Sequence, residues 1–191
     1  PFLGEGVKSK DLSKRDEVYC YADRFDEKYD LVRTVRKGKW KYIRNYQGFY
    51  PDGLQNNYRY RMLAYQEWRE LFNAGMLNEK QSQFFKPRPA EQLFDLSQDP
   101  HEVNDLSGHS DKNHILLELR GKLQRKVKEI NDLSFYPESY MIDYALQNPL
   151  VFGETHSEEI TKLVDVADLA LFSFKIAKSK LVKVFQNGTE W

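Results

Sequence analysis

A chain of 191 residues with 29 basic and 29 acidic side chains has no net charge to draw it to nucleic acid or to an anionic membrane. Twelve Tyr, twelve Phe and three Trp can fill a substantial core, which argues against disorder, and no apolar run is long enough to span a bilayer. The single cysteine, Cys20, rules out an internal disulfide.

The chain opens on Pro1-Phe2-Leu3-Gly4, with neither an initiator methionine nor a signal peptide, so the expectation is that its true start lies upstream. Residues 1–14 read as a polar connection. Residues 16–22 alternate, with Val18, Cys20 and Ala22 on one side and Glu17, Tyr19 and Tyr21 on the other, the pattern of a half-buried strand. The acidic segment 23–30 is expected to interrupt it. Residues 31–36 and 39–45 then form a hairpin around Lys37-Gly38, where glycine supplies the positive φ of a tight turn.

After a turn-rich stretch at 47–57, Tyr60, Leu63, Ala64, Trp68, Leu71 and Phe72 recur at helical spacing. They predict an amphipathic helix over 59–74, closed by Gly75. A short helix at 78–85 ends at Pro87 and Pro89, and 91–96 reads as one more short strand. From Asp111, the series Ile115, Leu116, Leu119, Leu123, Val127, Ile130 predicts a long helix over 112–131 capped by Ser110 or Asp111. Beyond Pro137 the texture becomes helical. Residues 138–147 predict one helix. Thr155-His156-Ser157-Glu158 has capping-box spacing ahead of Ile160, Leu163, Val164, Ala167 and Leu171, and 176–186 predict a last helix. The fold class is α+β: a small antiparallel sheet with packed helices, followed by an all-α tail.

The segment Asp23-Arg24-Phe25-Asp26-Glu27-Lys28-Tyr29-Asp30 concentrates charge and aromatic surface around a strand pair. Arg24 offers a planar fork to an oxyanion, and Asp26 and Glu27 offer acceptors to hydroxyl or amino groups. The alternative reading is that these charges satisfy one another. His101, His109, His114 and His156 have no metal-ligand spacing, and no phosphate loop or nucleophile motif is present.

Three stretches carry a family resemblance. The block 23–30, continued through Arg33, Arg36, Lys41-Tyr42-Ile43 and Asn45, resembles the late part of sulfatases, and within them the heparan N-sulfatase (sulfamidase-like) group. The run Glu91-Gln92-Leu93-Phe94-Asp95-Leu96 with Asp99-Pro100, Glu102 and Asn104-Asp105-Leu106 resembles a second sulfatase block, with Phe94 in place of the usual tyrosine. It reads as structural, with Asp99 and Glu102 placed to cap exposed amides. Pro1-Phe2-Leu3-Gly4 resembles the stretch just past the catalytic core.

The resemblance implies a C-terminal sheet-and-helix subdomain over 15–135. It would be joined by the link 1–14 to a catalytic domain of alkaline-phosphatase-like fold that precedes it. Residues 136–191 resemble the start of a helical, HEAT-like extension. The implied parent hydrolyses sulfate esters or N-sulfates on a glycan such as heparan sulfate, outside the cytoplasm, using calcium and a formylglycine nucleophile. In this portion Arg24, Asp26 and Glu27 would touch substrate, no residue would be catalytic or bind metal, and the piece by itself would be inactive.

Cys20-Tyr21-Ala22-Asp23-Arg24 formally satisfies the sulfatase Cys-x-(Pro/Ala)-x-Arg signature. However, Tyr21 and Asp23 stand where small residues are usual, and a strand stands where a helix usually begins. Cys20 is therefore expected to be a buried structural cysteine. The competing function class is a non-catalytic interaction or scaffold module.

Overall fold

The computed structural model describes residues 16–25, 28–53, 56–172 and 182. Four strands, β1 (Glu17–Phe25), β2 (Lys28–Lys37), β3 (Trp40–Asn45) and β4 (Glu91–Asp95), form an antiparallel sheet in the order β1-β2-β3-β4. Gly38 takes φ +54 in the turn between β2 and β3, as a two-residue hairpin demands. Segment 23–30 does not interrupt the sheet as expected. β1 runs on to Phe25 and β2 starts at Lys28, with one irregularity in register between Ala22 and Arg24. There β2 carries one residue more than β1, Asp30 and Leu31 standing opposite Asp23, and pairing resumes beyond it.

The excursion between β3 and β4 holds α1 (Leu63–Asn73) and the short α2 (Glu79–Ser82). A 3-10 turn at Arg59–Arg61 precedes α1, and Gly75 closes it at φ +69. Tyr60, Tyr65, Trp68, Phe72, Phe84 and Phe85 form an aromatic cluster here, with Trp68 and Phe84 stacked at 4.8 Å and Phe72 and Phe85 at 4.5 Å.

The long helix α3 (Asn113–Glu129) lies against the sheet. Ser110 and Asp111 do not cap it. They belong to a 3-10 turn, Ser110–Lys112, and α3 starts after Lys112 without a side-chain cap. Its buried row, Leu116, Leu119, Leu123 and Val127, meets Val35, Tyr42 and Leu93 from the sheet, whereas Ile130 is exposed.

Among the described residues three further helices follow: α4 (Glu138–Tyr140), running into a π-helical turn at Met141–Ala145, α5 (Pro149–Thr155) and α6 (Ser157–Phe172). Asn148 caps α5, with Pro149 at its first position. The capping box expected at Thr155 does not form. Thr155 ends α5, and its hydroxyl donates back to the carbonyls of Val151 and Phe152. Ala145, Phe152, Ile160 and Val164 lie in one cluster with the sheet and α3 residues, so the core is continuous across residue 136. The helix expected at 176–186 lies outside the described residues.

Charged residues join these layers. Register places Arg44 beside Glu91, and Tyr42 beside Leu93, on the face that α3 and α6 cover. Arg44 is 2% exposed. It donates to Asp168 of α6, to Glu91 at 3.1 Å and to the Tyr42 hydroxyl at 2.8 Å. Asp168 also accepts from Tyr46 Oη at 2.7 Å and Gln124 Nε2 at 2.9 Å. Arg120 of α3 grips Glu91 with two bonds, at 2.7 and 2.6 Å. Burial alone would raise the Glu91 carboxyl, but hydrogen bonds from Arg120 and Tyr42 prevail and hold it below its ordinary 4.5.

The sign of its pH dependence follows. With the folded value depressed, Glu91 contributes full stability above its unfolded value and loses it as pH falls through the folded one. Glu91→Gln should therefore flatten the acid limb when urea midpoints are followed from about pH 6 to about pH 3. Parallel limbs for the two proteins would count against this.

Candidate functional site

The end of the β1–β2 ribbon carries Asp23 and Arg24, and its geometry begins with the sheet. Arg24 pairs with Tyr29 across the two strands, and Phe25 with Lys28. Asp23 lies on the same side of β1 as Glu17 and Tyr19, the side that α3 covers, where Arg33 Nη1 reaches it at 2.6 Å. Arg33, 4% exposed, spans two carboxylates. It donates to Asp132 through Nε at 2.5 Å and Nη2 at 2.9 Å, the bidentate fork that suits a guanidinium. Ser134 Oγ closes the ring on Asp23 at 2.8 Å, and Tyr29 Oη donates to the Ser134 carbonyl at 2.7 Å. Burial, reinforced by the Asp23 charge, pushes the Tyr29 hydroxyl up to about 12. The ribbon is thus clamped to residues 132–134, 99 positions away from Arg33 in the chain.

Arg24 lies beyond that clamp and is about half exposed. Its Nε donates to Glu138 Oε1 at 2.8 Å, and Nη2 bonds the other oxygen. The Glu138 hydrogen bond and charge raise the guanidinium's pKa and lower that of the carboxyl. Asp26 and Glu27, the other residues selected from the sequence, lie outside the described residues. What the structure presents among the described residues is a half-exposed guanidinium forked onto Glu138, next to the clamp on residues 132–134. Glu138 and Asp132 escaped the sequence reading because they are distant in the chain and carry no motif.

Two grooves flank the sheet. One of about 430 Å³ runs between β1 and the C-terminal end of α3, with Tyr19, Tyr21 and Asp23 on one wall and Leu123 and Ile130 on the other. The second, of about 670 Å³, lies on the opposite sheet face, between Val32, Ile43 and Phe94 and the wall formed by Trp68, Phe84 and Arg88. Two of its cations are tied locally: Lys41 binds Glu102 at 2.6 Å, and Arg88 binds Asp30 at 2.7 Å. Glu102 therefore makes an ion pair rather than the amide cap expected of it. Asp99 does cap, accepting from the Asn104 amide at 2.7 Å.

Cys20 is exposed, not buried as expected. It stands opposite Thr34 on the outward face of the edge strand, together with Val18 and Ala22. The Glu17 and Tyr19 side turns toward α3, where Lys122 holds Glu17 and the Lys126 ammonium sits 5.9 Å from the Tyr19 ring centroid. The alternation was correct, but the side that the helix covers is the one bearing Glu17 and Tyr19.

The chain is similar to a sulfatase. Over 146 residues it is 40% identical to the ulvan-active sulfatase of Formosa agariphila, in an alignment that takes in 74% of this chain and 23% of that protein. The chain thus spans less than a quarter of the length of the curated relative it matches. No family model matches it. The similarity agrees with the sulfatase resemblance of blocks 23–45 and 91–106; it does not single out the heparan N-sulfatase group or a HEAT-like extension.

Sulfatase chemistry implies calcium and a formylglycine. Among the described residues, no group of three or more His, Cys, Asp or Glu is arranged to hold a metal ion. Cys20 sits mid-strand, with no helix N-terminus at hand to offer amides to an anion. The surroundings of Cys20 therefore do not fit a formylglycine site. No helix among the described residues is long and apolar enough to cross a membrane.

Proposed function

We propose that this chain is the C-terminal portion of an extracytoplasmic sulfatase acting on a sulfated glycan, and that it forms one wall of the substrate berth without supplying the nucleophile or the metal site. The observation that carries the reading is the 40% identity to a sulfatase over 146 residues. The half-exposed Arg24 at the end of a clamped ribbon supports the assignment of that wall, with Asp26 and Glu27 next to it in sequence. An Arg fork is the side chain best matched to a sulfate or carboxylate. Calcium and formylglycine would belong to the remainder of the protein. Phe49, Tyr50, Tyr58, Met62 and Leu63, all exposed within fifteen residues of one another, supply apolar surface for that remainder to cover. Residues 136–191 would extend this portion as a HEAT-like array.

Turnover by the full-length enzyme should be tested on heparan sulfate, for the block resemblance, and on ulvan, for the relative. Arg24→Ala should cut kcat/KM about tenfold or more, since one charged hydrogen-bonding pair is worth a factor of that order, while leaving the unfolding midpoint essentially unchanged. Glu138→Gln is the control. If Arg24 serves only its ion pair, Glu138→Gln will reproduce whatever Arg24→Ala does. If Arg24 touches substrate, Glu138→Gln will retain most of the turnover.

A further inference from the structure

The two edges of the sheet are finished differently. On β4, the outer edge is closed: the Leu93 amide donates to Asp105 Oδ1 at 3.0 Å, and the Leu93 carbonyl accepts from the Leu106 amide at 2.8 Å. On β1, the backbone from Val18 to Ala22 bonds on one side only, to β2, among the described residues. Its side chains are open too, with Val18 55% and Tyr21 77% exposed. An exposed, unpaired, apolar edge is a template for another strand, and folded proteins blunt such edges with charge, proline or a cover. None of these lies within Val18-Tyr19-Cys20-Tyr21-Ala22. The charges at its ends are already neutralised: Glu17 by Lys122, and Asp23 by Arg33. The edge therefore asks for backbone and apolar side chains, and not for charge. Beside it runs the groove of about 430 Å³ between Tyr19, Tyr21, Leu123 and Ile130, continuous with the strand and lined by its inward side chains.

We propose that the outer edge of β1 receives a strand from the part of the parent polypeptide outside this chain, and that the adjoining groove takes an apolar side chain of the same segment. The assignment of the occupant rests on the reading of this chain as one portion of a longer sulfatase. More than three quarters of the matched relative lies outside the alignment, and a segment on the same polypeptide meets the edge at high effective concentration.

Cys20, in the middle of the edge, is a built-in reporter. Peptide-resolved alkylation at position 20 and hydrogen–deuterium exchange of amides 18–22 should be compared between the full-length polypeptide and the 191-residue chain. Both rates should be at least about tenfold slower in the full-length protein, as expected when an exposed edge becomes an internal ladder. Equal rates in the two proteins would overturn the proposal. So would protection in the 191-residue chain alone that rises with its concentration, because the occupant would then be a second copy. Turnover on heparan sulfate and ulvan, measured on the same full-length preparation, separates the two readings. Activity with an unprotected edge removes the docking proposal and leaves the sulfatase reading standing. A protected edge without activity keeps the docking proposal, which needs only that the polypeptide be longer than this chain, and removes heparan sulfate and ulvan as substrates.

Discussion

Arg44→Ala should destabilise the protein by about 3–5 kcal/mol, the cost of breaking a buried, hydrogen-bonded ion pair from one side. The reason lies in what remains. Asp168, 6% exposed, would lose the one buried cation it meets among the described residues while still facing the Tyr46 hydroxyl and Gln124. Glu91 would keep Arg120 and so lose less. The guanidinium also lies 5.2 Å from the ring centroid of Phe172, so packing at the C-terminal end of α6 goes with the charge. Urea unfolding of the single and paired variants is the measurement. Arg44→Ala with Asp168→Ala should cost clearly less than the sum of the two single changes, since the second removes the charge that the first strands. Strict additivity would mean that the two residues do not act as a pair.

Much of this architecture is legible in the residues themselves. Alternation and the Lys37-Gly38 turn locate the β2–β3 hairpin, and the 3.6-residue spacing of Leu116, Leu119, Leu123 and Val127 locates α3 and its buried row. These signals are local, because period and turn chemistry act over a few residues. What stayed hidden depends on distance. Little near Arg33 or Arg44 announces that each will be buried, since the carboxylates that meet them from beyond the sheet, Asp132 and Asp168, are 99 and 124 residues away. A signal did exist for one of them: Asp168 continues the row Ile160, Val164 at i+4, so a charge on the core side of α6 could have been suspected. Similarly, Arg44 and Glu91 share the strand face of Tyr42 and Leu93. Cys20 misled because apolar alternation names two faces without saying which one a helix will cover. For the candidate site, Arg24 could be selected by its chemistry, but Glu138, which holds it, lies 114 residues away.

A chain cut after Phe135 should fail to fold cooperatively, although composition changes texture there and short helices follow. The cut removes Ala145, Phe152, Ile160 and Val164 from a cluster they share with Val35, Tyr42, Leu93 and α3. Each large side chain deleted from such a core costs roughly 2–5 kcal/mol. Three of them together reach the roughly 5–15 kcal/mol that is the whole stability of an ordinary domain. The same cut strands Arg44 without Asp168. It also exposes the face of α3 that α6 now covers. Circular dichroism on heating should show a broad, non-cooperative loss of signal, with dye binding at room temperature. A sharp transition at the parent midpoint would instead mean that the sheet and α3 stand as a unit without the helices beyond residue 136. Ile160→Ala in the uncut chain keeps the question open to measurement if the truncated protein aggregates. Ile160 is fully buried, so a loss of about 2–5 kcal/mol is expected where α6 is part of the core, and a change below about 0.5 kcal/mol where it is not.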